Sequence, residues 1–392
     1  MRITHVSDCY LPMLGGIEAQ VSRLAAQQVA AGHEVEVITT TPAAPGGHGV
    51  STAVENGVTV HRIAARIPFG APIHPRSTTH VMRRLAEAVQ AGAAPDVVHL
   101  HFGVLAPTVQ AALRPITRLG LPTMVTVHSV WGGTERAFGA LDRVVRWGSL
   151  PVLWSAVSEL TAAPLRRVVG DRGGVVVVPN GLDLDAWRVP RTERAGRAEG
   201  AAVHVVSAAR FAPRKRMLHL LDAVSDAVSD VGARHGSSAL FVTLVGEGLE
   251  LSRARRIVAE RGLQDVVALP GRLTPTELKR LYARADVFVA PAVQEAFGIA
   301  ALEAQAAGLT VVTRARSGVA ERLTDGVDGL VATSDAGIAD ALVRLATEDG
   351  LLDRLLAAAS GPAAASDWSH VLAATEKAYE RAAALVAPRQ SP

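Results

Sequence analysis

The residues best placed to do chemistry are two cations and two carboxylates in the second half of the chain. In "SAARFAPRKRM" (207–217) Arg210 follows a strand-like run, and Lys215 precedes a helix that starts near Met217. Two positive charges and a helix N-terminus thus converge on one loop. Such a loop could clamp a diphosphate, because backbone N–H groups and guanidinium forks both suit phosphate oxygens; a solvated basic loop is the alternative. Lysine occurs only at positions 215, 279 and 377, which sets Lys215 apart from an arginine-rich background. Further on, "VQEAFGIAALEAQAAG" (293–308) puts Glu295 where strand gives way to loop, Phe297 and Gly298 at a helix start, and Glu303 inside that helix. A carboxylate inside a helix usually marks a solvated face. A loop Glu ahead of a Gly-started helix is harder to explain as surface.

The first half offers less. "YLPMLGGIEAQV" (10–21) sets Gly15 and Gly16 between a short strand and a helix. Either the turn needs positive φ, which glycine supplies cheaply, or a ligand must approach the backbone at an anion-attracting helix start. His128 follows the strand "MVTV", with Gly132 and Gly133 soon after, and is open to a structural or a catalytic reading. Gly246 in "LVGEGLEL" (244–251) belongs to a G-x-G that lacks the third glycine of a dinucleotide fingerprint. No metal site is expected: the histidines of "HLH" (99–101) are read as lying on opposite faces of a strand, and "DLD" (183–185) as part of a turn.

The elements that must carry these residues alternate. Short β-branched runs recur at 2–7, 33–40, 58–64, 96–102, 123–129, 152–158 and 175–178, with helical stretches between several of them. In the helix predicted over 17–32, Val21, Leu24, Ala25 and Val29 share a face and Gly32 ends it. A second series starts at 203 and continues at 240, 266, 286, 309 and 329. Between them "RVPRTERAGRAEGAA" (188–202) reads as a linker. The pattern predicts an α/β chain of two Rossmann-like, doubly wound parallel-sheet domains facing each other across a cleft, with ligands at the carboxyl ends of the strands.

Composition agrees with a two-domain enzyme. The chain has 392 residues, 49% hydrophobic and 20% charged, with a net charge of +3, and domains of about 150–200 residues are expected at that length. Scattered basic residues and few aromatics argue against nucleic acid. With Cys9 alone no internal disulfide can form, and "MRITHVSDCY" does not build the apolar region of a signal peptide, so the cytoplasm is the expected compartment. "HPRSTTHVMRRLAEAVQ" (74–90) is either an amphipathic helix that touches an anionic membrane on its inner face through Arg76, Arg83 and Arg84, or a solvated helix on the rim of the cleft.

Taken in order, "LGGIEAQ", "VTVHS", "VPNGLDLDAW", "RFAPRKRM", "LVGEG", "LPGRL", "QEAFGIAALEAQAAG" and "TDGVDGLV" resemble the family-4 retaining glycosyltransferases of GT-B fold. The ordered set covers nearly the whole chain, with Glu295 and Glu303 at the E-x7-E spacing of that family. The resemblance implies an N-terminal acceptor domain over 1–183 plus a returning helix over 370–387, and a nucleotide-sugar donor domain over 202–366. It implies transfer of a mannose- or glucose-type hexose from a nucleotide diphosphate sugar, GDP or UDP, to a glycolipid, cyclitol or other small hydroxyl compound, with retention and no obligatory metal or cofactor.

The resemblance also assigns roles. Gly15 and Gly16 would admit the donor diphosphate or the acceptor; Arg210 and Lys215 would neutralise the leaving diphosphate. Glu303 would hold the ribose diol and Glu295 the sugar hydroxyls. The backbone at Phe297, Gly298 and Ile299 would bind sugar or phosphate, and that at Arg272 and Leu273, with Gly246 nearby, the base side. His128 would stand near the sugar and stabilise its developing positive charge. Two residues depart from the family pattern: Ser129, where Asp or Gly is frequent, and Ser317, where a glycine is usual. A sugar-nucleotide epimerase of similar fold and a catalytically inactive binding relative are the competing readings.

Overall fold

The computed structural model describes residues 1–386 apart from 14, 65–73, 75, 105, 132, 171–173, 190–200, 236–238 and 360–363. Most of the linker expected over 188–202 lies outside the described residues. The chain divides into two compact units, Met1–Gly181 with Trp368–Pro392, and Leu182–Asp367.

In the first unit the chain runs β1 (Arg2–Ser7), α1 (Gly16–Ala30), β2 (Glu34–Thr39), β3 (Gly49–Glu55), β4 (Val58–Ala64), α2 (Ser77–Gln90), β5 (Val97–Phe102), α3 (Pro107–Arg118), β6 (Thr123–Val127), α4 (Glu135–Val145), β7 (Leu153–Ala156), α5 (Glu159–Val169) and β8 (Val175–Val177). The sheet order is β3-β4-β2-β1-β5-β6-β7-β8. Every pairing is parallel except β3 with β4, an antiparallel edge that the sequence reading does not anticipate. Strands β5, β6 and β7 are buried along their whole length, as strands covered by helices on both faces must be.

The second unit holds α6 (Leu184–Trp187), β9 (Val203–Ala208), α7 (Met217–His235), β10 (Leu240–Val245), α8 (Leu251–Glu260), β11 (Val267–Gly271), α9 (Pro275–Tyr282), β12 (Val287–Ala290), α10 (Ile299–Ala306), β13 (Thr310–Arg314), β14 (Gly329–Ala332), α11 (Asp335–Thr347) and α12 (Leu351–Ala358). Its all-parallel sheet is ordered β11-β10-β9-β12-β13-β14. The last helix, α13 (Trp368–Val386), belongs to the first unit, where Ala378, Tyr379 and Ala382 join the core beside Ile3, Val37 and Met124.

Both sheets reverse direction of growth at one place, between β1 and β5 in the first unit and between β9 and β12 in the second. The loops leaving those strands diverge there and open a crevice. Arg210 and Lys215 leave β9, and Glu295 to Gly298 leave β12, so the second unit's candidate residues stand at such a point.

Candidate functional site

The loop after β9 is clasped by the loop after β10. Ala209 N–H donates to Val245 O (3.0 Å), Phe211 N–H to Glu247 O (2.8 Å) and Glu250 N–H to Phe211 O (3.2 Å). So close an approach is open only to glycine. Gly246 (φ +142°) and Gly248 (φ +145°) have backbone angles that L side chains rarely adopt, and a Cβ on them would stand 1.9 Å from Ala209 O and 2.3 Å from Phe211 O. The G-x-G is therefore a device for holding the Arg210 loop. Gly246 N–H also donates to Gly271 O (2.8 Å), tying in the stretch that leads to Arg272 and Leu273.

Pro213–Lys215 forms a single 3₁₀ turn. It delivers the Lys215 ammonium to the Glu295 carboxylate, with both side chains about one-fifth exposed. The cation and the carboxylate that the sequence places 80 residues apart are thus one ion pair across the switch point. Gly298 is left-handed (φ +79°) and caps α10, whose interior carries Glu303. Arg216, the residue after Lys215, is left-handed as well (φ 58°) and pairs with Asp335, which also holds Arg314.

Sequence reasoning misses Arg322. Its Nη1 donates to Phe297 O (2.7 Å) and Gly318 O (3.3 Å), and its guanidinium lies 4.5 Å over the Phe297 ring. Gly318 N–H donates to Glu295 O (2.8 Å), and a Cβ on Gly318 would stand 2.2 Å from Ala296 O. The loop from Glu295 to Gly298 is held from behind by these two residues. Burial lowers the Arg322 pKa to about 10, which leaves it charged at neutral pH. Ser317, the departure from the family pattern, is buried and accepts the Val319 N–H (3.1 Å), closing the same turn.

In the first unit Gly15 is fully extended (φ −171°, ψ 178°), a backbone any residue adopts. Gly16 is not left-handed either, so the need for positive φ does not explain this pair. A Cβ on Gly15 would stand 2.3 Å from Glu18 Oε2, whereas one on Gly16 would meet nothing within 4 Å. Gly15 makes room for the buried Glu18 carboxylate, and Gly16 leaves the helix start open. Asp8, also buried, caps α3 by accepting the N–H groups of Thr108 (3.1 Å) and Val109 (3.2 Å); burial raises its pKa, with those bonds opposing. Burial and the neighbouring Glu18 push the Cys9 thiol up to about 12, so it stays protonated.

The reading of "HLH" is corrected. Residues two apart on a strand share a face, and His99 and His101 do, with ring centroids 4.2 Å apart. His5, opposite His99 in the β1–β5 register, joins them. Each offers a ring nitrogen within 4.8 Å of the others, a grouping that could hold a metal ion. In the structure these nitrogens are hydrogen-bonded: His5 Nδ1 to His101 Nε2 (2.9 Å), His5 Nε2 to Gln28 (2.7 Å), and His99 to Tyr379 (2.9 Å) and Thr126 (2.6 Å). His101 Nδ1 meets His128 Nε2 at 3.0 Å. Burial lowers His5 and His128 to about 4 and His99 and His101 well below their usual value, so all four are neutral at pH 7. "DLD" has a structural explanation: Asp183 is the N-cap of the four-residue α6, accepting Ala186 N–H (2.9 Å), and Asp185 pairs with Arg188.

In α2, Val81 and Leu85 are buried in the first unit's core, and Arg84 pairs with Glu36 (3.1 Å). Burial pushes the Glu36 carboxyl up, but bonds from His61 and Thr4 and the Arg84 charge outweigh it and hold the group at about 2. No helix among the described residues is long and apolar enough to cross a membrane.

Two doubly wound units, each with its polar loops at a switch point, define a GT-B architecture. Solved structures of that fold align over nearly the whole chain. Anabaena HepE in complex with UDP has a TM-score of 0.75 at 16% identity, covering 97% of this chain and 100% of that one. Sucrose-phosphate synthase from Thermosynechococcus elongatus has a TM-score of 0.73 at 20% identity, covering 97% and 98%. At such identities these likenesses speak for the fold alone.

Sequence relationship supplies the family. Residues 14–186 match Glycosyltransferase Family 4 and residues 192–360 match Glycosyl transferases group 1. A D-inositol 3-phosphate glycosyltransferase of Frankia alni is 31% identical over 399 residues, covering 94% of this chain and 95% of the relative. A glycogen synthase of Mycobacterium tuberculosis is 29% identical, covering 97% and 94%. The chain belongs to the family-4 glycosyltransferases.

Proposed function

We propose that this enzyme moves a mannose- or glucose-type hexose from a GDP- or UDP-sugar to a hydroxyl of a cyclitol or another small acceptor, with retention at the anomeric carbon. The observation that carries the reading is the Lys215–Glu295 pair at the switch point of the second unit's sheet, on the loops that also hold Arg210 and Phe297–Gly298. A diphosphate arriving there competes for the Lys215 ammonium and releases Glu295 to take sugar hydroxyls.

In this reading Arg210 and Lys215 neutralise the diphosphate as it leaves, so no metal is obligatory. Backbone groups of Phe297, Gly298 and Ile299 bind sugar or phosphate, and Glu303 accepts from the ribose diol. Gly246 brings the Arg272–Leu273 backbone to the base. Gly15 and Gly16 leave the start of α1 accessible to donor phosphate or acceptor, and His128 faces the sugar. The bond from the anomeric carbon to the departing phosphate breaks and one to the acceptor oxygen forms on the same face. The acceptor proton goes to the departing diphosphate, which suits a site built without a nucleophile and base pair.

The relative that acts on D-inositol 3-phosphate makes a cyclitol the first acceptor to try. The test measures thermal stabilisation by UDP, GDP, ADP and TDP on the wild type, Arg210→Ala and Glu303→Gln. A nucleotide at about a hundred times its dissociation constant adds roughly 2.7 kcal/mol to the folded state. One nucleotide should stand out and both substitutions should erase its effect; no response from the wild type would favour an inactive relative. Incubation of the matching sugar nucleotide alone separates an epimerase, which needs no acceptor, and the anomeric configuration of the product by NMR tests retention. Peripheral membrane contact through the exposed Arg76 and Arg83 predicts co-sedimentation with anionic liposomes at low salt, and its absence there would remove that part.

A further inference from the structure

The buried polar network of the first unit takes its direction from two groups, the Ser155 hydroxyl at one end and the Gln28 amide in the middle. Ser155 Oγ donates to Val125 O (3.3 Å), so its oxygen accepts from the Thr126 hydroxyl (2.6 Å). Thr126 Oγ1 must then accept from His99 Nε2–H (2.6 Å), which leaves Nδ1 of a neutral His99 to accept from the Tyr379 hydroxyl (2.9 Å). Having given its proton to His99, Tyr379 accepts from the Gln28 amide nitrogen (2.9 Å). The Gln28 carbonyl oxygen therefore faces His5 and receives its Nε2–H (2.7 Å). His5 Nδ1 is then a bare lone pair and takes the Nε2–H of His101 (2.9 Å), whose Nδ1 takes the Nε2–H of His128 (3.0 Å). Each proton position dictates the next, since in a neutral imidazole one nitrogen donates and the other accepts.

We propose that this chain of hydrogen bonds fixes His128 as its Nε2–H tautomer with a bare Nδ1 turned out of the core, and that His101, His5, Gln28 and Tyr379 are its positioning residues. The inference rests on the reading of His128 as a sugar-facing group. His128 is only half-buried, and its Nδ1 has no partner among the described residues. The fixed tautomer turns the N–H end of the ring dipole inward and the lone-pair end toward the site. A sugar passing through a positively charged transition state is stabilised by that end and would be opposed by an imidazolium. A small cavity beside the ring is lined by His99, His101 and Thr126 of the network together with apolar side chains such as Val21, Leu24 and Val371. Tyr379 lies on α13, so the last helix acts on a residue of the β6 loop through side chains of α1, β1 and β5.

The experiment is a long-range proton–nitrogen NMR spectrum of histidine-labelled protein near pH 6.5, assigned by His128→Gln. The expected result is a neutral His128 with Nε2 protonated and Nδ1 bare. An Nδ1–H tautomer, an imidazolium, or a stoichiometric metal on His5, His99 and His101 would overturn the proposal. His101→Leu should leave His128 as a mixture of tautomers and lower kcat by about tenfold to a hundredfold. Donor KM and the nucleotide-induced thermal shift should hold within twofold, because the residues proposed to hold the nucleotide and diphosphate, Arg210, Lys215 and Glu303, stand in the second unit. His101→Gln, which can both accept and donate, should recover part of the loss. Tyr379→Phe provides the same readouts in case His101→Leu does not fold, and a wild-type His128 spectrum in both variants would refute the proposal. If the tautomer is as stated but His128→Gln transfers sugar normally, the sugar-facing reading fails and the network stands.

Discussion

Gly246→Ala isolates how the second unit holds its cationic loop. At φ +142° the alanine is outside the allowed region for L residues, and its Cβ would stand 1.9 Å from Ala209 O, where contacts below 3.0 Å essentially never occur. Backbone strain of this kind costs about 1–3 kcal/mol. Relieving the overlap also moves the Ala209 peptide by about 1 Å, a misplacement that can cost on the order of a hundredfold in rate when it reaches a catalytic group. Arg210 is the residue that moves. Gly262 is the control: it is also left-handed (φ +65°), but a Cβ there meets nothing within 4 Å, so Gly262→Ala should cost about 1–2 kcal/mol and leave nucleotide binding alone. Denaturant unfolding gives the stabilities, and the melting shift with the preferred nucleoside diphosphate gives binding. The expectation is that Gly246→Ala loses more stability than Gly262→Ala and most of its nucleotide response. If both variants lose equal stability and both keep the response, the close approach of the two loops is not what sets Arg210.

Lys215→Met should leave stability within about 1 kcal/mol, because a partly exposed ion pair contributes little, while sugar transfer at saturating donor falls about a hundredfold or more; activity near wild type would remove Lys215 from the diphosphate. Arg322→Lys keeps the charge but loses the planar guanidinium, whose Nη1 reaches Phe297 O and Gly318 O while its plane covers the Phe297 ring. It should cost about 2 kcal/mol and raise donor KM, and an unchanged KM would separate Arg322 from the Glu295 loop. Acid should unfold the first unit early. The folded-state pKa of His5, about 4, lies below its unfolded value, so the unfolded chain binds more protons and stability falls as pH drops from about 6.5 towards 4. The rings facing His5, those of His99 and His101, are lowered too and add to the slope, and no charged side chain among the described residues is hydrogen-bonded to it. His5→Gln should flatten the fall of the urea midpoint over that range, and an equally steep fall would place the acid sensitivity elsewhere.

The strands were legible because parallel strands buried on both faces read as short β-branched runs, and α1 because Val21, Leu24 and Ala25 face its core. The order of runs implied two sheets, and their carboxyl ends pointed to the loops of Arg210 and Glu295. β3 was not legible. "GVSTAVE" is exposed on nearly its whole length and pairs only with β4, so neither alternation nor a continuous apolar run marks it. What holds it is Arg62, buried, forking onto Glu55 (2.8 and 2.9 Å) while also donating to Leu11 O (2.7 Å) and Thr41 O (3.1 Å). Arg322 was hidden for a related reason: its partners are backbone carbonyls, which leave no trace in residue type.

The histidines were misread through one step of geometry, and the correction changes what the site asks for. With a period of two, His99 and His101 face the same layer as His5, where Gln28 and Tyr379 also stand. Three imidazoles in a buried sheet face are costly unless every nitrogen is satisfied, and apolar side chains of similar volume would fill the space without that demand. A polar chain that meets the demand in full and ends on a half-buried histidine thus does something packing alone does not require. A closed network would be enough to satisfy the interior. This one is open at His128 Nδ1, which has no hydrogen-bond partner among the described residues. If His128 faces the sugar as proposed, the first unit's part in the site extends inward from it as a directed row, and a substitution at Gln28 or Tyr379, neither of which reaches the surface, should be read first by its effect on the His128 ring.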